Sequence, residues 1–441
     1  KSYSQKMNMI RRFTTNHLFM SAFYKGISGL SMFVSIPLLI NYFGKTNYGV
    51  WVLVFALFQW VLLMDFGLAS VLKTKIPELQ HTKKTDLINA YIKSTYKIST
   101  YIALVIFVLF ALFFLVFNVQ SLLNIAFESS FVTKLFLLNI FFFCINFVFN
   151  THKALFVGFH KGKFSEQSIA VNQFLFLAFL CVPMFLFPSI DDKSKLILVS
   201  IINGFVTLLV NFFYTLYLFK IEKISFNTKK EVSKEYLNAV YRMGFKFMAI
   251  QIGTLFLFSS DNYILAYFFG PKDIVPYEIV TKYFQLPLMI IVAGISPLWS
   301  SFAKHYLEND KAWLKTSIKK FNLFYIMVLL AMVIFILIAT PLMKVWISKD
   351  FSVGSFLLII VAIVTSLRIY TSFYIYFFSG IGKLKNYMIL LFVSVFLKIP
   401  LSYLFIKLDF GISSVVLASG LCLVVWSIIQ PIEAKKIISN F

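Results

Sequence analysis

Apolar runs long enough to cross a bilayer recur along the whole chain, separated by short polar turns. A hydrocarbon core about 30 Å thick takes roughly 20 apolar residues as a helix. Twelve such runs are read near 17–40, 48–72, 96–117, 131–157, 167–188, 196–219, 243–269, 275–302, 321–346, 354–380, 386–406 and 411–431. A helix satisfies its own backbone polar groups within one segment, so the pattern predicts an all-α polytopic membrane protein with twelve transmembrane helices. The polar connections alternate in charge: those on one side hold about 27 Lys and Arg, those on the other about 8. Lys and Arg gather in cytoplasmic loops, which predicts that both termini are cytoplasmic.

The pattern also repeats. Tyr42-Phe43-Gly44-Lys45, at the outer end of the first run, matches Phe268-Phe269-Gly270-Pro271 at the outer end of the seventh. Phe156-Val157-Gly158, followed by Lys161 and Lys163, matches Phe378-Ser379-Gly380, followed by Lys383 and Lys385. Offsets of 222 to 226 residues correspond to six runs, and an even number preserves orientation. The halves are therefore expected to form a parallel repeat, an architecture that puts the substrate path at the interface between halves. The division expected is an N-terminal lobe at 1–219, a cytoplasmic linker at 220–242 and a C-terminal lobe at 243–441.

Composition agrees with this reading. The chain is 60% apolar and only 13% charged, with mean hydropathy +0.84, well beyond what a soluble core of this size needs. A net charge of +23 follows from the basic inner loops, and no long, water-facing basic stretch points to nucleic acid. Cys144, Cys181 and Cys422 each stand alone in an apolar run, so neither a disulfide framework nor a metal site is expected. The first run lacks a cleavage site and reads as an uncleaved signal anchor. The outer connections are too short for an extracytoplasmic catalytic domain.

Charges inside the runs carry the chemistry. Lys97 and Lys246 lie near inner ends and can reach the surface. Lys25, Lys282, Arg368 and Lys398 lie deeper, where each costs about 2.5–3.5 kcal/mol at mid-bilayer. The deep acids are Asp65, Asp261 and Glu278. Glu278 and Lys282 have the i, i+4 spacing of a helical ion pair. Asp261, beside Asn262, reads either as a cation or proton site or as the partner of one of the cations. An excess of deep cations implies a hydrated cavity that favours anions, and an amphiphile with a phosphate head and a lipid tail fits it.

Lys25-Gly26-Ile27-Ser28, the Asn41-Tyr42-Phe43-Gly44 to Tyr48-Gly49-Val50-Trp51 turn and Asp65-Phe66-Gly67-Leu68 resemble the N-terminal pattern of Wzx-type polysaccharide repeat-unit flippases. These belong to the multidrug/oligosaccharidyl-lipid/polysaccharide (MOP) exporter superfamily. The resemblance implies two six-helix bundles around a central basic cavity in the bacterial cytoplasmic membrane. It implies that undecaprenyl-pyrophosphate-linked oligosaccharide moves from the cytoplasmic to the periplasmic leaflet, with Lys25, Lys282, Arg368 and Lys398 lining the cavity. It implies no catalytic residue and no cofactor, and coupling to a proton or sodium gradient, for which Asp65 and Asp261 are the deep acids available. Polymerase and chain-length machinery are the partners that follow, besides membrane lipids. A multidrug cation antiporter of the same superfamily is the alternative, although its cavity should be acidic. A membrane polysaccharide polymerase or glycosyltransferase is a third reading, and calls for large outer loops or paired acids that the chain does not offer.

Overall fold

The computed structural model describes residues 17–63, 68–81, 85–226, 234–295 and 298–440, and among these residues the elements are helices, with no strand. In chain order they are α1 (His17–Leu63), α2 (Leu68–His81), α3 (Thr85–Val116), α4 (Val119–Leu122), α5 (Ser129–Phe149), α6 (Thr151–Gly158), α7 (Gly162–Leu186) and α8 (Asp192–Ile221). There follow α9 (Lys234–Ser259), α10 (Asp261–Phe269), α11 (Pro271–Ile295), α12 (Leu298–Leu307), α13 (Lys311–Trp346), α14 (Ser355–Gly380), α15 (Lys385–Lys407) and α16 (Ser414–Ser439). Polar caps fix several starts. Asp191 accepts from the Ser194 N–H at 3.0 Å to open α8, and hydrogen bonds from Ser194 hold its carboxyl below the usual range. Asp310 does the same for α13 through the Trp313 N–H at 2.9 Å.

Nine helices among the described residues are long and apolar enough to cross a membrane, against the twelve runs read from hydropathy. The difference has physical causes. The first two runs are continuous in α1, broken only at Gly44 with φ 74° and ψ 164°. The seventh run is divided at Ser260 between α9 and α10, and the eighth, α11, carries Lys272, Asp273, Glu278 and Lys282.

The chain divides into two compact units, Lys1–Ile252 and Gly253–Phe441. The division falls inside α9, beyond the 220–242 stretch expected as a linker, of which residues 227–233 lie outside the described residues. In the first unit α5 packs against α1, α3 and α8, α7 against α8, and α2 against α6. In the second, α14 packs against α11, α12, α13 and α16, and α15 against α16. Several of these packings correspond once α5 and α6 together are matched to α14, whereas the packing of α7 on α1 and α6 in the first unit has no equally extensive counterpart on α15 among the described residues.

The repeat extends to backbone detail. Gly44 has its counterpart in Gly270, with φ 90° and ψ 169°. Both sit in a region that only glycine enters without strain. α6 ends in a Schellman turn, with His160 N–H donating to Val157 O at 3.0 Å and Lys161 N–H to Phe156 O at 2.7 Å. α14 ends in the same turn, Gly382 N–H to Ser379 O at 3.3 Å and Lys383 N–H to Phe378 O at 3.0 Å. Just before each turn a glycine permits a close helix crossing. A Cβ on Gly158 would stand 3.2 Å from Leu72 O, and one on Gly380 would stand 2.6 Å from Trp299 O.

Lipid is the solvent for the outer faces. On α13, Leu323, Ile326, Met327, Leu330, Val333, Ile334 and Leu337 are exposed at spacings that mark one helical stripe. Inside the first unit, where apolar burial does not discriminate protein from lipid, α5 and α8 are joined by polar side chains and close approach. Asn139 donates to Ser200 Oγ at 3.0 Å, Asn146 to Gly204 O at 3.2 Å, and Asn211 to Asn146 Oδ1 at 3.0 Å. Gly204 lies flush against the Phe142 ring.

Replacing Gly380 by Ala forces its Cβ against the backbone of α12 and should destabilise the second unit by about 1–3 kcal/mol. Thermal unfolding in detergent should show a clear drop in midpoint for Gly380→Ala and a smaller one for Gly158→Ala, where the contact is looser.

Candidate functional site

The deep cations divide into two groups by unit. In the first, α1 carries Lys25, whose Nζ lies 3.6 Å from Glu166 Oε1 near the start of α7. The side chains remain 45% and 24% exposed, so the pair is loose and Lys25 keeps an open side. The two residues are brought together by the packing of α1 on α7.

The second unit holds a larger polar network. Lys282 pairs with Glu278 at 3.5 Å along α11, at 22% and 13% exposure, and Asn262 donates to the other Glu278 oxygen at 3.5 Å. One residue away, Asp261 accepts from the Tyr277 hydroxyl at 2.7 Å and pairs with Lys398 at 2.5 Å. Lys398 also donates to Val415 O at 2.7 Å and to Ser419 Oγ. Arg368 is partly buried on α14 with its guanidinium over the Phe258 ring, 4.3 Å from the centroid. It stands within electrostatic reach of Asp261 and Tyr277. An aromatic face attracts such a cation without neutralising it.

These geometries sort the expected site residues. Lys25 and Lys282 retain partly accessible side chains, and Arg368 is a partly buried residue whose guanidinium rests on the Phe258 ring. Lys398, expected to line a cavity, has no exposed surface, because Asp261, Ser419 and the Val415 carbonyl enclose its ammonium group. It is the buried partner of Asp261, and that leaves the ion-coupling expectation for Asp261 with a competing ligand already in place. Asp65 lies outside the described residues. Glu166 was not legible as a deep acid: the fifth run was read from residue 167, whereas α7 begins at Gly162.

Comparisons with known proteins bear on this arrangement. Residues 16–302 match the family described as "Polysaccharide biosynthesis protein". A putative O-antigen export protein of Yersinia pseudotuberculosis is 25% identical over 387 residues, 84% of each chain. The inward-facing conformation of a multidrug resistance MATE family transporter of the MOP superfamily matches with TM-score 0.76 at 14% identity, covering 94% of this chain and 95% of that one. A MOP superfamily transporter from Pyrococcus furiosus, described as having a binding pocket of reverse polarity, matches with TM-score 0.63 at 14% identity, covering 96% and 94%. At these identities the two structures establish the shared fold and nothing of the cargo.

The Lys398–Asp261 pair yields a stability test. Removing one partner of a buried pair strands a charge, at about 3–5 kcal/mol. Lys398→Met should therefore lower the unfolding midpoint in detergent strongly. Adding Asp261→Asn should recover much of that loss, and a double variant no better than the single would show that the pair is not the source.

Proposed function

The chain belongs to the polysaccharide biosynthesis protein family, and on that premise we propose that it is a flippase for lipid-linked oligosaccharide. The cargo in this reading is an undecaprenyl-pyrophosphate-linked repeat unit, moved from the cytoplasmic to the periplasmic leaflet of a bacterial cytoplasmic membrane by alternating access. The chain has the fold of MOP superfamily transporters and several helices able to span a membrane. Its relative in Yersinia pseudotuberculosis is named for O-antigen export.

One observation carries the choice of cargo. Among the described residues, each deep acid already faces a cation or an amide, Glu166 with Lys25, Glu278 with Lys282 and Asn262, Asp261 with Lys398. Arg368, in contrast, has only an aromatic face and distant acids, and Lys25 is half-exposed. The balance of charge not already paired is positive, which favours the pyrophosphate head of a lipid-linked sugar. Charge-assisted bonds to phosphate oxygens suit Arg as a fork and Lys as a point charge. A cation antiporter of the same fold would need an accessible deep acid. Coupling to a proton or sodium gradient belongs to this reading too, with Asp65 and Asp261 as the candidate acids, of which Asp261 has its carboxylate engaged by Lys398 and Tyr277. Membrane lipids surround the chain, and polymerase and chain-length machinery would take over the cargo on the far side.

The test is complementation. A host that lacks its own O-antigen translocase but carries matching repeat-unit genes receives wild type, Lys25→Ala, Lys282→Ala and Arg368→Ala at matched expression. Wild type should restore surface polysaccharide. Lys25→Ala and Arg368→Ala should reduce it by about tenfold or more if each contributes a charged hydrogen bond to the phosphates, and Lys25→Arg should keep part of the activity. Full restoration by all the alanine variants would remove the basic side chains from the transport path. Failure of wild type with several repeat-unit systems, together with resistance to cationic dyes, would hand the assignment to the antiporter reading.

A further inference from the structure

The first unit contains a cavity of about 230 Å³ that none of the proposed transport residues lines. Lys73 on α2, Ser99 on α3, Lys153 and Thr151 on α6, Asn150 at the head of α6, and Ser165 and Glu166 on α7 supply its polar wall. Glu166 is the one acid among these lining residues, and it is already held by Lys25 from α1 at 3.6 Å. Lys153 stands within electrostatic reach of the same carboxylate but makes no ion pair at contact distance among the described residues, and neither does Lys73. The Asn150 side-chain oxygen is buried with no hydrogen-bond partner among them. An amide can turn to present its NH2 instead, so the wall offers two ammonium groups, an amide and three hydroxyls to a guest rich in acceptor oxygens.

Size and position narrow the guest. Pockets for drug-sized ligands run to roughly 300–1,000 Å³; this one admits a headgroup and excludes an oligosaccharide. Two of its lining residues, Val157 and Ser165, flank in sequence the turn that carries Lys161 and Lys163, on the side that the charge asymmetry assigns to the cytoplasm. We infer that this cavity is a docking site for a phosphate or diphosphate group, held by Lys73 and Lys153, with Glu166 as the resident counter-ion that competes with it. The inference deepens the proposed function and rests on it for the source of the phosphate, a lipid-borne headgroup rather than free phosphate, while the chemistry of the site is the same for both. When the cavity is empty, Glu166 draws on Lys25 and Lys153. An entering phosphate takes over Lys153 and Lys73 and leaves the carboxylate to Lys25.

The experiment uses full-length protein in nanodiscs of zwitterionic phosphatidylcholine, titrated calorimetrically with inorganic pyrophosphate and, separately, with farnesyl diphosphate. Wild type should bind pyrophosphate saturably, and Lys153→Gln and Lys73→Gln should each weaken binding by about tenfold or more. Glu166→Gln should tighten it several-fold, since the competing anion is gone. That gain cannot arise from misfolding, so it keeps the test decisive if a lysine variant proves unstable. Absence of saturable binding by wild type, or a Glu166→Gln variant that binds no better than wild type, overturns the site. Tighter binding of farnesyl diphosphate than of pyrophosphate, lost in Lys153→Gln, supports a lipid-borne source; equal affinities support the site and assign it to free phosphate. Pyrophosphate binding without complementation would overturn the transport reading alone, and complementation without pyrophosphate binding would overturn the docking site alone.

Discussion

A charge at membrane depth must find its partner within the protein, because lipid offers none. The deep cations of this chain meet that demand in graded ways. Lys398 is enclosed completely by Asp261, Ser419 and a backbone carbonyl. Lys282 is paired along its own helix with Glu278. Lys25 holds Glu166 loosely from a half-exposed position, and Arg368 rests on the face of Phe258. The grading matters physically. An enclosed pair ties α10, α15 and α16 together, whereas a half-exposed pair costs less to separate.

The backbone faces a related demand, met in the same way twice. An apolar chain can leave one helix for the next only where its free carbonyls and N–H groups are satisfied. Gly44 and Gly270 turn the chain with nearly the same dihedral angles. The turns after α6 and α14 close with equivalent hydrogen bonds. Gly158 and Gly380 then let the adjoining helices approach at backbone distance, through α2 in one unit and α12 in the other. Contacts of that kind tolerate little sliding, so each unit is built to resist internal shear.

Much of this was legible from residue order, because it is local. The apolar runs, the glycine turns, the 222-residue spacing of the second turn and the i, i+4 pairing of Glu278 with Lys282 all show in the sequence itself. What was not legible depends on chain segments far apart. Asp261 and Lys398 are 137 positions apart, and no periodicity announces their contact. Lys73 and Lys153 belong to the basic inner connections, where the topology rule accounts for them without further explanation; the helices carry them into the wall of a cavity. Glu166 was lost to a helix boundary misplaced by a single turn.

The placement of Glu166 bears on how a carrier of anions can work at all. A site must bind well enough for the ligand to enter and weakly enough for it to leave. A cluster of unopposed lysines in a low-dielectric pocket would hold a diphosphate tightly and release it slowly, and the empty state would be destabilised by mutual repulsion. A carboxylate among them lowers both problems together: it stabilises the empty cavity and competes with the bound ligand. The acid paired with Lys25 is therefore not a contradiction of an anion-carrying role. In the proposed reading it would make such a role reversible, since its loose, part-exposed pairing with Lys25 would let the carboxylate give up Lys153 to a ligand and take it back.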